Sequence, residues 1–384
     1  MCIFFTNTTF SGTNSLFLPL PPSDTKGEGL CKHCRVMHRT IFPIGYGGNF
    51  QVSILQYLPK ISYLCLPKII KKFFHTMINR ILIRIKVLQI VFAYYQNGNS
   101  DLNVAKNELH LSLRRSYDLY YYFFLLIIEV TRLHEQRIDA RKHKLRPSDE
   151  DLQPNTRLID NRFMHQLEKN EMLLAYVKEH GISWVNETDF VKRVLDLIIS
   201  SDLYAEYIKS PNDSYEIDQE FWRAVFRKLI CGNEEIEDAL EDISIYWNDD
   251  IEIIQTFVLK TIKRFDEKNG STEKLLPMFK DDEDYNFVIE LFHQSIEQES
   301  LYREWINKHM KNWESERVAN MDLIIMQVAL AEIMNFPKIP IKVTLNEYID
   351  AAKYYSTPKS GTFINGILDS IVTELKKEHL LLKD

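Results

Sequence analysis

Residues 339–369 constrain the fold of this 384-residue chain more than any other segment; they read IPIKVTLNEYIDAAKYYSTPKSGTFINGILD. Pro340 fits just ahead of a helix, where its missing N–H leaves no hydrogen bond unmade. Thr344 and Glu347 have the spacing of a capping box. Apolar residues recur near helical spacing on both sides of a break at residues 356–358, so the pattern predicts two helices joined by a short turn.

This segment resembles the C-terminal signature of the NusB family of bacterial transcription antitermination factors. The resemblance rests on an ordered set of positions: Pro340, Lys342, Val343, Asn346, Glu347, Ala352, Lys353, Ser360, Phe363, Ile364, Asn365, Gly366, Ile367, Leu368 and Asp369. Residues 322–333, DLIIMQVALAEI, resemble the central helix of the family. The resemblance implies an all-α fold, a pair of helical bundles that share this central helix.

The charge of the chain is unevenly distributed. Residues 1–76 contain eight Lys/Arg and two Asp/Glu, a net charge of +6, whereas the remainder carries a net charge of −13. An acidic protein does not bind nucleic acid through its overall field. Any RNA contact must therefore come from a local basic patch or from a basic partner.

Cysteine usage and hydropathy indicate a cytoplasmic protein. Four of the five cysteines lie in residues 1–76, which argues for a reducing compartment without a disulfide framework. The apolar run at residues 120–128 is too short to span a bilayer and predicts a buried helix. The first residues lack a basic region typical of a secretory signal.

Residues 1–76 differ from the rest of the chain, because they hold half of its glycines and show no sustained helical period. They are interpreted as a disordered extension, or as a spurious one that the natural product lacks, since Met77 stands where a NusB-like protein would begin. Cys31 and Cys34, with His38 nearby, have the spacing of half a zinc site. The alternative is that these cysteines are incidental.

The main body divides into three predicted parts. Residues 77–100 carry the first helix of the NusB-like domain, residues 101–284 form an acidic helical insert, and residues 285–384 form the C-terminal helical bundle. Polar breaks at residues 144–155, 210–213 and 269–271 divide the insert. The insert departs from the compact family core, and its purpose is not evident from the sequence.

The first helix carries a predicted basic edge. Arg80 and Arg84 are four residues apart and share a helix face, and Lys86 extends that edge. By resemblance, Arg84, Gln89 and Phe92 fall on family positions, which implies contact with RNA. The alternative is that the two arginines are ordinary solvated helix charges.

The resemblance extends the predicted site to the C-terminal helices. Because the sequence contains no G-x-G-x-x-G, P-loop or G-x-S-x-G motif, no catalytic residue, metal or cofactor is predicted. The predicted RNA-binding residues are Arg80, Arg84, Lys86, Gln89, Phe92, Lys342, Lys353 and Phe363. Asp322 falls on a position implicated in binding a protein partner. Phe363 is equally consistent with a core residue.

The implied function is transcription antitermination. Family members bind boxA, a single-stranded RNA element of ribosomal RNA leaders, together with the ribosomal protein NusE, and the complex acts on RNA polymerase. One alternative is a protein-binding adaptor without RNA contact. Another is a NusB-like module related to ribosomal RNA methyltransferases, but the chain ends soon after Asp369, so no enzyme activity is expected.

Overall fold

The computed structural model describes residues 77–98, 101–310 and 319–381. This part of the chain is helical and contains no strand, which confirms the predicted all-α class. The predicted extension at residues 1–76, with its cysteine pair, lies outside the described residues.

The helices follow one another through short connections. Their bounds are α1 (Arg80–Gln96), α2 (Leu102–Lys142), α3 (Asp149–Leu152), α4 (Arg162–Glu168), α5 (Glu171–His180), α6 (Thr188–Ile199), α7 (Asp202–Lys209), α8 (Tyr215–Val225), α9 (Glu234–Ile243), α10 (Ile251–Arg264), α11 (Asp282–Glu297), α12 (Glu299–His309), α13 (Asn320–Asn335), α14 (Ile341–Tyr355) and α15 (Ser360–Lys377). Within the described residues, no helix has both the length and the apolar character needed to cross a membrane.

The 41-residue helix α2 lies at the centre of the predicted insert. It begins at the N-cap Asp101, whose side chain accepts a hydrogen bond from the Asn103 amide. The predicted buried run is confirmed, because Tyr120, Phe123 and Phe124 on α2 are all fully buried. Helices α4, α5, α6 and α10 pack along α2. A single long helix thus forms the surface on which the other helices of the predicted insert pack.

The predicted breaks in the insert fall between its longer helices. Residues 144–155 contain only the one-turn α3, and residues 210–213 separate α7 from α8. Residues 269–271 lie in the 3-10 turn Glu267–Thr272, where Gly270 has a positive φ of 51°. A left-handed backbone at this position favours glycine.

Helix α13 is the centre of the C-terminal half. Its residues are apolar on nearly every side, and those from Met321 to Ile333 are buried apart from Leu323. A helix that is apolar all round must be covered on all sides. Helices α1 and α11 pack on α13, as do α12, α14 and α15.

The two predicted C-terminal helices are confirmed as α14 and α15, but the predicted capping box is wrong. Helix α14 begins at Ile341, directly after Pro340, so Thr344 lies inside the first turns rather than at the cap. The Thr344 hydroxyl donates instead to a carboxylate oxygen of Glu332, 2.7 Å away on α13. This hydrogen bond ties α14 to the central helix.

Candidate nucleic-acid interface

Arg84 lies inside the helical core. Its Nε and Nη2 atoms donate to the two carboxylate oxygens of Glu332 at 2.7 and 2.8 Å. The exposed fractions of the two residues are 7% and 0%. Burial lowers the pKa of Arg84, but the hydrogen bonds and charge of Glu332 outweigh it and raise that pKa overall. Arg84 is therefore a permanently charged partner of a buried carboxylate.

Glu332 gathers further donors from α14. The hydroxyls of Thr344 and Tyr348 donate to its two carboxylate oxygens at 2.7 and 3.1 Å. Every contact in this cluster joins α13 to either α1 or α14. We call Arg84, Glu332, Thr344 and Tyr348 the Glu332 cluster.

Lys86 and Gln89, on another part of α1, face the insert. The Lys86 ammonium lies 2.7 Å from the Asp250 carboxylate and donates to the Tyr246 carbonyl at 3.1 Å. The Gln89 amide donates to Asp249 at 2.5 Å. Both α1 side chains are therefore used to hold the segment that leads into α10.

The two neighbouring carboxylates differ in their surroundings. Asp250 has the Lys86 ammonium as a direct partner and also accepts a hydrogen bond from Ser116 of α2. Burial raises the pKa of Asp249 to about 7, and the charge of Lys86 only partly opposes that rise. The carboxyl of Asp249 thus titrates near neutral pH inside the protein.

Arg84 and Lys86 do not form the exposed basic edge predicted for α1, and Gln89, predicted to contact RNA, is buried as well. Their exposed fractions are 7%, 1% and 3%. The physical reason is that buried carboxylates on α13 and on the insert pair with them, and the sequence pattern of α1 alone does not show those partners.

Arg80 and Phe92 are only partly exposed. Arg80 pairs with Glu283 and Asp284 at 3.3 and 3.1 Å, and its guanidinium lies 4.9 Å from the ring centroid of Phe287. Phe92 is half-buried and packs against the core. Arg80 is thus the α1 cation nearest to solvent, but two carboxylates already neutralise it.

The predicted lysines of α14 are exposed. Lys342 and Lys353 are eleven residues apart, which is about three helical turns, so they lie on one face roughly 16 Å apart along the axis. Lys353 forms an exposed pair with Asp350 at 2.6 Å. Lys342 has no ion-pair partner within the described part of the chain. We call Lys342 and Lys353 the α14 lysine face.

The α14 lysine face and Arg84 lie on different sides of α14. Arg84 approaches Glu347, at 3.8 Å, and Glu347 lies about 120° around the helix from Lys353. On the other side, a Cβ placed on Gly361 of α15 would meet Lys353 Cγ at 3.5 Å. Phe363, two residues further along α15, is half-buried and packs on the core.

Asp322, predicted at a partner-binding surface, is only 5% exposed. Its carboxylate accepts a hydrogen bond from the Ser360 hydroxyl at 2.9 Å. The contact joins the first turn of α13 to the first turn of α15. The Asp322 side chain therefore fastens two helix ends, and its contact with a protein partner stays a prediction.

Sequence reasoning missed the buried carboxylates. Glu332 is an acid in the otherwise apolar run VALAEI, a signal that a buried charge with a partner is present. Asp249 and Asp250 carried no such signal, because they follow a stretch rich in exposed acids. Their role depends on contacts with α1, about 160 residues away in the sequence.

The fold and these contacts define a class of protein: an all-helical domain with two exposed lysines on one face of a helix. The described residues contain no group of three side chains suited to hold a metal ion. The NusB family model matches residues 252–373, a range that begins within α10 and ends within α15.

The chain belongs to the NusB family. It is 35% identical over 132 residues to the transcription antitermination protein NusB of Salinibacter ruber, covering 33% of this chain and 82% of that protein. It is 30% identical over 121 residues to the NusB of Bacillus pumilus, covering 31% and 92%. The NusB of Koribacter versatilis is 42% identical over 93 residues, covering 24% and 64%. No solved structure matches the chain.

Proposed function

We propose that this protein is a transcription antitermination factor that binds boxA-type single-stranded RNA of ribosomal RNA leaders together with NusE, and that the complex acts on RNA polymerase. The similarity to relatives named as transcription antitermination proteins, over 82% of the length of one of them, carries the proposal.

The α14 lysine face is the part of the predicted site that fits RNA contact. Lys342 and Lys353 are exposed and can approach phosphates, while Phe363 lies on the neighbouring helix at half exposure. Unpaired RNA presents both phosphates and free bases to such a surface. Arg84 contributes indirectly, because it holds α1 against α13 and approaches Glu347 of α14. Lys86 and Gln89 instead hold α1 against the segment that leads into α10.

A basic partner is part of the proposal because this surface is small. Two phosphate contacts give only a shallow salt dependence, with a slope of about −1.4 for a single strand. A ribosomal protein rich in Lys and Arg would add cations to the RNA groove. The net charge of −13 on residues 77–384 would favour its association.

The test is binding of a boxA RNA, with and without NusE, over a salt series. The double variant Lys342→Ala/Lys353→Ala should weaken RNA binding by the NusE complex about tenfold and reduce the salt slope by about 1.4. The matched control is Lys376→Ala/Lys377→Ala, which removes two exposed lysines from the last turn of α15 and should leave affinity near the native value.

Unchanged RNA binding by the α14 double variant would contradict this site. If the native protein binds NusE but adds nothing to RNA binding, the adaptor function replaces the proposal. The burial of Arg84 and Lys86 is the observation that keeps the adaptor as the second candidate.

A further inference from the structure

The C-terminal end of α2 carries a cluster of exposed positive charges, although the protein is acidic over residues 77–384. Residues 137–146, RIDARKHKLR, contain five Lys/Arg and a single acid. Residues 77–384 as a whole carry a net charge of −13. The local sign of the charge is therefore opposite to that of the surrounding protein.

Three of these cations are exposed and have no ion-pair partner among the described residues. Arg137 pairs with Asp196, and Lys144 pairs with Asp151 at 3.2 Å. Arg141, Lys142 and Arg146 are exposed, and no carboxylate lies within ion-pair distance of them in the described part of the chain. We call Arg141, Lys142 and Arg146 the α2 basic end.

Stabilisation of the helix terminus does not account for all of this charge. The helix dipole favours cations in the last turn, which contains Arg141 and Lys142. Its effect fades beyond that turn, whereas Arg146 lies four residues past the end of α2. The α2 basic end therefore extends past the region in which a helix terminus needs positive charge.

The fold holds this end of α2 in a fixed position away from α1. Ser116 of α2 contacts the Asp250 carboxylate that pairs with Lys86, so this part of α2 is fastened to α1. Lys142 follows Ser116 by 26 residues, about 39 Å along the helix. The pairing of Arg137 with α6 keeps the distal part of α2 packed on the insert.

We propose that the α2 basic end is a second RNA contact, which binds phosphates of single-stranded RNA that continues beyond the boxA element, without reading its sequence. The inference rests on the proposed function for the identity of the RNA. Two guanidinium groups and an ammonium suit phosphate oxygens, since arginine can bind a phosphate through two hydrogen bonds. The insert would thereby lengthen the RNA footprint of the family domain.

The experiment compares two RNAs on the full chain in complex with NusE: a boxA element alone, and the same element with a single-stranded flank. The variant is Arg141→Ala/Lys142→Ala/Arg146→Ala. The control is Lys169→Ala/Lys178→Ala/Lys268→Ala, which removes three exposed insert cations that lie elsewhere.

The flanked RNA should bind the native complex more tightly than boxA alone, and the α2 variant should lose that advantage, roughly 10- to 50-fold. Its salt slope on the flanked RNA should fall by about 2, because each lost phosphate contact on a single strand contributes about 0.7. The control variant should retain the advantage, and both variants should bind boxA alone like the native complex.

Equal binding of the flanked RNA by the α2 variant and the native protein would overturn the proposal, and so would an equal loss on both RNAs. Failure of the proposed function is distinguishable, because the native complex would then show no preference for boxA over an unrelated sequence. In that case an unrelated single strand with the length of the flanked RNA serves as the probe. The α2 variant must still bind this strand more weakly than the native complex does.

Discussion

Helix α1 and helix α14 both carry polar residues that the family resemblance assigns to RNA, yet the structure uses them differently. Arg84, Lys86 and Gln89 of α1 are buried against carboxylates. Lys342 and Lys353 of α14 are exposed. The difference teaches that a cation at a position resembling the family pattern can be paired inside the same chain, as on α1, or remain exposed to a ligand, as on α14.

The energetic roles of the two helices follow from this difference. Removing one member of a buried ion pair leaves the other charge without compensation, which is strongly destabilising. Removing an exposed lysine costs little stability, because water already screens its charge. Variants of α1 should therefore change folding, whereas variants of α14 should change binding.

The largest effect is expected for Glu332→Gln. The change keeps the shape of the side chain but leaves the Arg84 guanidinium buried beside a neutral amide. We expect the free energy of unfolding to fall by about 3–5 kcal/mol in urea denaturation. Glu347→Gln is the control, since that partly exposed carboxylate lies 3.8 Å from Arg84 and should cost far less. Equal costs would contradict the buried role of the Glu332 cluster.

The next effect concerns pH and Asp249. Because its pKa in the folded protein is raised to about 7, the folded state binds more protons than the unfolded state between about pH 4 and pH 7. Stability due to this group is therefore present at low pH and is lost as pH rises through 7.

Asp249→Asn removes that titration. The free energy of unfolding of the variant relative to the native protein should rise by roughly 2–4 kcal/mol between pH 4 and pH 8, measured by denaturation at each pH. The exposed Asp369→Asn provides the control. A difference that stays constant with pH would show that Asp249 is not buried against Gln89.

A smaller effect, of a different kind, is expected for the α14 lysine face. Lys342→Ala and Lys353→Ala should each change the free energy of unfolding by less than about 0.5 kcal/mol. Each should weaken RNA binding by the NusE complex roughly threefold at moderate salt. A variant that unfolds more easily but binds RNA normally would show that the lysine stabilises the fold and does not bind RNA, contrary to the role proposed for α14.

A modest effect on stability is expected for Arg80→Ala, because this residue lies between the buried cations of α1 and the exposed lysines of α14. Its pairs with Glu283 and Asp284 are partly exposed, and its contact with Phe287 adds a modest cation–π attraction. Thermal or urea unfolding should report a loss of about 0.5–1 kcal/mol. A loss comparable with that of Glu332→Gln would contradict this prediction, because Arg80 would then stabilise the fold as strongly as the buried ion pair.

The sequence predicted the helices better than the surroundings of their polar residues. Apolar periodicity located α14, α15 and the central helix, because local spacing determines which residues face the core. Whether Lys86 reaches solvent depends on Asp250, which is 164 residues away in the chain. Such a contact is set by tertiary packing, and the pattern within α1 carries no information about it.

The most direct test of this difference is lysine footprinting, in which acetylation of each lysine is measured by mass spectrometry with and without boxA RNA in the presence of NusE. Lys342 and Lys353 should react in the RNA-free complex and become protected when RNA is added, while Lys86 should stay unreactive in both states because it is 1% exposed. Ready acetylation of Lys86 that RNA suppresses, with no change at Lys342 and Lys353, would contradict the account.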